Sequence, residues 1–254
     1  MLLPTAPGTL VKESVAAKID YSNTNEGYIT VSYHSDPMKK CRLRVEHEGG
    51  YQHFTIPSDG AAKVFPLCFG DGQYVITVYR QIEDVKYSTL LTFRVDVELS
   101  SPVIPWLYPN TYTDYGPHSV SVLTARQVCI GLKDDAKRVN AIRKWIANNI
   151  KYDRSLANQI AEGGMSWWLP DPDKVIWEGK CICWGYSSLF AAMCRSQGVP
   201  CRICVGRVAG GGLHAWNEVY INEIWMRMDL AFERSEAASQ FISDDKNYTV
   251  EYYG

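Results

Sequence analysis

The sequence lacks any excess of charge: 26 Lys and Arg stand against 28 Asp and Glu, a net charge of −2. With a pI near 6.2 it has no general basic field, so no nucleic-acid partner is expected. Long hydrophobic runs are also missing. The longest candidate, Ser187–Met193, falls far short of the roughly 20 residues a membrane helix needs, and no membrane span is expected. Met1-Leu2-Leu3 runs directly into Pro4 and Pro7, which leaves no apolar stretch of the kind a secretory signal carries. Internal repeats and low-complexity tracts are absent. Disorder is excluded by what is plentiful: of 254 residues, 46% are hydrophobic and 12% aromatic, enough for one large domain or two smaller ones.

Cysteine is not scarce. There are 8, and five of them (Cys181, Cys183, Cys194, Cys201 and Cys204) lie within 24 residues. An even count permits disulfides in an oxidising compartment. A chain of this length does not need such staples, so free, buried thiols are the plainer reading, and the cluster asks for a chemical explanation.

The chain reads as two unlike halves. Residues 1–16 look like a leader. Residues 17–99 alternate polar and apolar side chains with period two, as in Tyr28 to His34, Arg42 to Glu46, Tyr74 to Tyr79 and Leu91 to Glu98. Turn signals at Asn23–Gly27, Gly49-Gly50, Pro57–Gly60 and Gly70–Gly72 separate these runs. Short strands at such spacing predict an antiparallel β-sandwich. His34, His47 and His53 sit beside charged or aromatic neighbours and read as satisfied or exposed histidines rather than metal ligands. Gly70-Asp71-Gly72 lacks the Gly-Lys-Ser/Thr context of a phosphate loop and reads as a turn. Residues 100–118, with four prolines, form a connector whose Trp106, Leu107 and Tyr108 are expected to pack.

From residue 119 to 254 the period changes. Asp134 can cap a helix that carries Val139, Ile142, Ile146 and Ile150 on one face. A polar loop with Gly163-Gly164, Trp167-Trp168 and Pro170 to Pro172 follows. A second helix spans about Cys183 to Gln197, stopped by Gly198 and Pro200. Cys201–Val208 reads as a strand, Gly210–Gly212 as a break, and His214–Ile221 with Ile224–Leu230 as a hairpin about Asn222-Glu223. Helices first and an antiparallel sheet after make this half α+β.

Three residues carry the candidate chemistry. Cys183 opens a helix, where unpaired N–H groups and the helix dipole favour a thiolate. Gly185, Ser187 and Ser188 are expected to keep room for a substrate. A two-residue turn at Asn222-Glu223 pairs Ile221 with Ile224, and hence Trp216 with Asp229. His214 then shares a sheet face with Trp216 and lies diagonal to Asp229, within reach of an imidazole–carboxylate contact. Cys183 as nucleophile, His214 as base and Asp229 as orienting group make a triad for acyl transfer. Taken singly, each residue has a bland alternative: a buried structural cysteine, or a carboxylate closing a strand end. Trp167, Trp168 and Trp177 are candidates for lining the cleft, although tryptophan is more often packing.

Gly179-Lys180-Cys181-Ile182-Cys183-Trp184-Gly185-Tyr186, then Gly198-Val199-Pro200-Cys201-Arg202, then His214-Ala215-Trp216-Asn217-Glu218-Val219-Tyr220 and finally Asp229 resemble the transglutaminase-like superfamily. The resemblance runs over about residues 107–235. It implies a papain-like α+β core of helices on an antiparallel sheet, with Cys183, His214 and Asp229 as nucleophile, base and orienter. The front half resembles the immunoglobulin-like modules of some bacterial members. Cys181 replaces a frequent Gly, Gly185 a frequent Asp, and Leu230-Ala231-Phe232 a frequent Pro-Thr; Cys181 is thus the first rival for the nucleophile.

The resemblance implies a protein or peptide substrate, no cofactor, and an extracellular or cell-surface setting. Hydrolysis of a peptide or amide bond is the favoured reaction, with amine-dependent protein crosslinking as the alternative. A zinc site at Cys181, Cys183, Cys201 and Cys204 is the sharpest chemical rival, countered by the long amphipathic helix between the pairs. A non-catalytic surface-binding module is a third reading.

Overall fold

The computed structural model describes residues 1–34, 38–161, 169–209, 212–233 and 247–254. The chain divides into two compact units, one of Pro4–Pro105 and one of Trp106–Gly254 together with Met1–Leu3.

The front unit is built from strands β1 (Val11–Glu13), β2 (Ala17–Asp20), β3 (Tyr28–Tyr33), β4 (Cys41–His47), β5 (Gly50–Ile56), β6 (Lys63–Pro66), β7 (Gly72–Glu83) and β8 (Lys86–Val97). They form two four-stranded antiparallel sheets, ordered β1-β2-β3-β6 and β5-β4-β7-β8. Alternation dictates the inner faces: Leu43 and Val45 on β4 and Ile76 and Val78 on β7 are wholly buried. Phe54 and Phe65 meet edge to face across the sheets, centroids 5.4 Å apart.

Three details differ from the period-two reading. The stretch read as a leader contributes β1, held to β2 by backbone pairing and by Gly8 N–H donating to Asp20. All six residues of β3 are buried, so its polar positions are covered too. On β8 the apolar face is only half buried except at Val97. His47 is buried, with Nε2 2.8 Å from the Asp71 carbonyl, and Gly72 leaves it space, since a side chain there would meet the ring at 2.7 Å.

The back unit contains α1 (Val120–Val128), α2 (Asp135–Asn149), β9 (Lys151–Tyr152), α3 (Arg154–Ala161), α4 (Pro172–Glu178), β10 (Lys180–Cys181), α5 (Cys183–Ser196), β11 (Cys201–Val208), β12 (Leu213–Ile221), β13 (Ile224–Met228), α6 (Leu230–Glu233) and β14 (Tyr248–Tyr253). An antiparallel sheet ordered β13-β12-β11-β14 packs against α5, with α1, α2 and α4 on the helix's other sides. This is the expected α+β arrangement. Asp134 caps α2 by accepting from Lys137 N–H at 2.8 Å, and Val139, Ile142 and Ile146 are its buried stripe. α4 starts on Asp171 and Pro172 inside the stretch read as loop. Gly163-Gly164, Trp167-Trp168 and Gly210-Gly211 lie outside the described residues. No described helix is long and apolar enough to cross a membrane.

Residues of the connector pack within this unit. Trp106 is buried edge-on against Trp225 and Tyr253. Arg195, fully buried on α5, donates to the carbonyls of Cys201, Tyr108 and Gly254 at 2.7–2.9 Å. One guanidinium thus ties helix, sheet and connector, and its charge is dispersed over three carbonyl dipoles.

Candidate active site

The site begins with how α5 is held. Every residue of α5 except Trp184 is buried. β10 delivers the chain to its first turn, and Ile182 in extended conformation is its N-cap. Cys183 is the first helical residue and is 9% exposed. As such its backbone N–H has no acceptor within the helix and stays available.

Gly185, Ser187 and Ser188 do not open a path for substrate, contrary to expectation. A side chain at Gly185 would lie 2.5 Å from Cys181 Cβ and 3.1 Å from Val175. Glycine therefore lets α5 close on β10 and α4. The Ser187 carbonyl accepts from Asn217 Nδ2 at 3.0 Å, and Ser188 Oγ donates to the Tyr112 carbonyl at 2.9 Å. These small residues serve packing that fixes the helix start.

His214 and Asp229 come together through the hairpin register. Asn222 and Glu223 both take positive φ, 51° and 63°, the backbone of a two-residue turn matched to strand twist. Ile221 pairs with Ile224 and Asn217 with Met228, which sets Asp229 immediately beyond β13. His214 Nε2 lies 2.8 Å from Asp229 Oδ2. Both side chains are largely withdrawn from water, 12% and 4% exposed.

Asp229 is bound on both oxygens. Oδ2 also accepts from the Tyr248 hydroxyl at 3.0 Å, and Oδ1 accepts from Phe232 N–H at 3.1 Å, capping α6. The strand-end role and the histidine-orienting role thus fall on one carboxylate. Tyr248 was not foreseen. It arrives on β14, which crosses β11 closely at Gly206, where a side chain would collide with the Thr249 backbone. The segment before it carries no periodic signal linking it to the hairpin.

The His214 ring stacks on Trp216, centroids 6.2 Å apart, and lies tilted against Phe232 at 4.5 Å. Burial disfavours its charge, but hydrogen bonds to Asp229 and to Cys183 outweigh this and raise its pKa to about 9. The structure thus brings all three candidate residues together in the order Cys183, His214, Asp229.

Three neighbouring cysteines are chemically quieter. Burial, then the neighbouring Cys183, push the Cys181 thiol well above its ordinary range; a protonated thiol is a poor nucleophile. Cys194 and Cys204 are likewise raised by burial. All eight cysteines are free. Among the described residues no group of three or more His, Cys, Asp or Glu is arranged to hold a metal ion. Trp177 is 71% exposed on α4.

Residues 123–230 match the transglutaminase-like superfamily. Kyphoscoliosis peptidase of Homo sapiens is 33% identical over 106 residues, covering 37% of this chain and 15% of that protein. The protein of the same name from Mus musculus matches with the same identity and coverage. The chain thus spans well under a fifth of the length of these curated relatives. A solved structure of a candidate cysteine protease from Cytophaga hutchinsonii is 18% identical, covers 87% of this chain and 78% of its own, and superposes with a TM-score of 0.43.

Proposed function

We propose that the transglutaminase-like domain carried on residues 123–230 is a thiol-dependent acyl-transfer enzyme, and that its reaction is hydrolysis of a peptide or amide bond. The observation that carries this reading is His214 held on Asp229 at 2.8 Å with Cys183 near enough to help raise its pKa. A buried structural cysteine has no use for a histidine so oriented, and a pure binding module has no use for all three groups.

In this reading Cys183 Sγ attacks the acyl carbon. His214, raised to about 9, holds the proton at neutral pH and gives it to the leaving nitrogen as the tetrahedral intermediate collapses to a thioester. Water, deprotonated by His214, then attacks the thioester and releases the acid. Asp229 keeps the imidazole in place and stabilises the imidazolium. Tyr248 and Phe232 N–H keep Asp229 itself in place.

Hydrolysis is favoured over crosslinking because the human relative is named a peptidase. The test is incubation with a glutamine-containing protein and a fluorescent primary amine, reading fragments and fluorescence together. New fragments that vanish in Cys183→Ala support the proposal. Amine incorporation without fragments replaces hydrolysis by crosslinking, and neither product removes the enzymatic reading for that substrate class.

A further inference from the structure

Charge is spread unevenly along the chain. From the start of α1 to the end of α3, residues 120–161 hold eight Lys and Arg against three Asp, a net +5, in a chain whose total is −2. The centre of this excess is α2. Val139, Ile142 and Ile146 form its buried stripe, so its opposite side falls on Lys137, Asn140, Lys144 and Asn148, all exposed. That outer stripe carries two cations, two amides and no acid. Lys133 precedes it and Lys151 follows it, both exposed.

A face that only solvates a helix mixes both signs and pairs them at i,i+4. α4 does this, with Lys174 beside Glu178. α2 does not. Among the described residues Lys133, Lys137, Lys144 and Lys151 take part in no ion pair. The nearby acids are engaged elsewhere: Asp135 holds Arg138, Asp153 holds Lys180 and caps α3, and Asp134 caps α2 itself. The stripe also leads to the nucleophile. Lys151 pairs with Lys180 where β9 meets β10, and β10 ends two residues before Cys183.

We propose that the outer face of α2 docks an acidic segment of the protein substrate, one that flanks the bond to be cut. This rests on the hydrolytic reading above. Lys137 and Lys144 are seven residues apart, about 10.5 Å along the helix axis. An extended chain advances about 3.4 Å per residue, so carboxylates three residues apart, about 10 Å, meet the two ammonium groups in register. Single exposed pairs are weak. Several together select an acidic partner and speed its encounter, and salt screens them.

The test uses the full chain and a fluorescein-labelled peptide of Glu-Ser-Gly repeats, with Gln-Ser-Gly repeats as the neutral control. Fluorescence anisotropy reads binding at low and at physiological salt. Lys137→Glu combined with Lys144→Glu is compared with Lys12→Glu combined with Lys86→Glu, which changes net charge equally on β1 and β8. The expected result is that the α2 pair weakens binding of the acidic peptide roughly tenfold or more, that the other pair changes it less than about twofold, and that salt weakens it in the unaltered chain. Equal loss in both variants, no loss in either, or equal binding of the neutral peptide overturns the proposal. Phosphatidylserine vesicles or an oligonucleotide bound as tightly as the acidic peptide also overturn it, because the face is then a general polyanion surface. Binding involves no bond chemistry, so acylation of Cys183 by 4-nitrophenyl acetate, followed by mass spectrometry, tests the enzymatic reading separately. An inert Cys183 beside selective peptide binding supports the docking face and overturns its tie to a reaction.

Discussion

Asp229 Oδ2 is shared between His214 Nε2 at 2.8 Å and the Tyr248 hydroxyl at 3.0 Å, while its other oxygen caps α6. Asp229→Asn preserves an acceptor for the cap but removes the charge that supports an imidazolium. We expect the turnover rate to fall by roughly 10²–10⁴ while the thermal midpoint moves by only a few degrees. Steady-state kinetics beside a melting curve check this; a wild-type rate removes Asp229 from the reaction. Tyr248→Phe removes one neutral hydrogen bond to the same oxygen and is expected to cost about 0.5–1.5 kcal/mol of stability, read by denaturant unfolding.

Stability should depend on pH through the same contact. His214 is raised from 6.5 to about 9 in the folded chain, burial opposing and the bonds to Asp229 and Cys183 prevailing. A raised histidine binds its proton more tightly when folded, so its stabilisation is complete below about 6.5 and is lost as pH rises through about 9. The free-energy gap between the unaltered chain and His214→Ala, measured by denaturant unfolding from pH 6 to 10, should shrink over that window. A gap that is flat or widens contradicts the raised value.

Gly185 tests how the nucleophile is held. Gly185→Ala brings a methyl against Cys181 Cβ, which would lie 2.5 Å away, and should destabilise the chain by about 1–3 kcal/mol. Removing the obstacle with Cys181→Gly should recover part of that loss in the double variant. Denaturant midpoints of the four chains decide it; independent, additive losses would show that the two positions do not press on each other.

The parts of this site that rest on local rules were legible in the sequence. A cap residue and period 3.6 marked α2 and α5, and a two-residue turn fixed the register that joins His214 to Asp229. What was not legible comes from elsewhere in the chain. Tyr248 reaches Asp229 from a strand added at the far edge of the sheet, after a stretch with no periodic signal. β1 and α4 were missed because each is too short to show a period. Gly185 was misread because small residues beside a nucleophile serve access and packing equally well, and only the distance to Cys181 separates the two.

The central claim is that one sulfur among eight is made reactive by its neighbours. Brief exposure to iodoacetamide at pH 7, with each cysteine quantified by mass spectrometry, tests it directly. Accessibility alone favours Cys68, which is more exposed than Cys183. The account predicts that Cys183 is alkylated first and that His214→Ala removes its lead. Faster labelling of Cys68, or a Cys183 rate indifferent to His214, contradicts it.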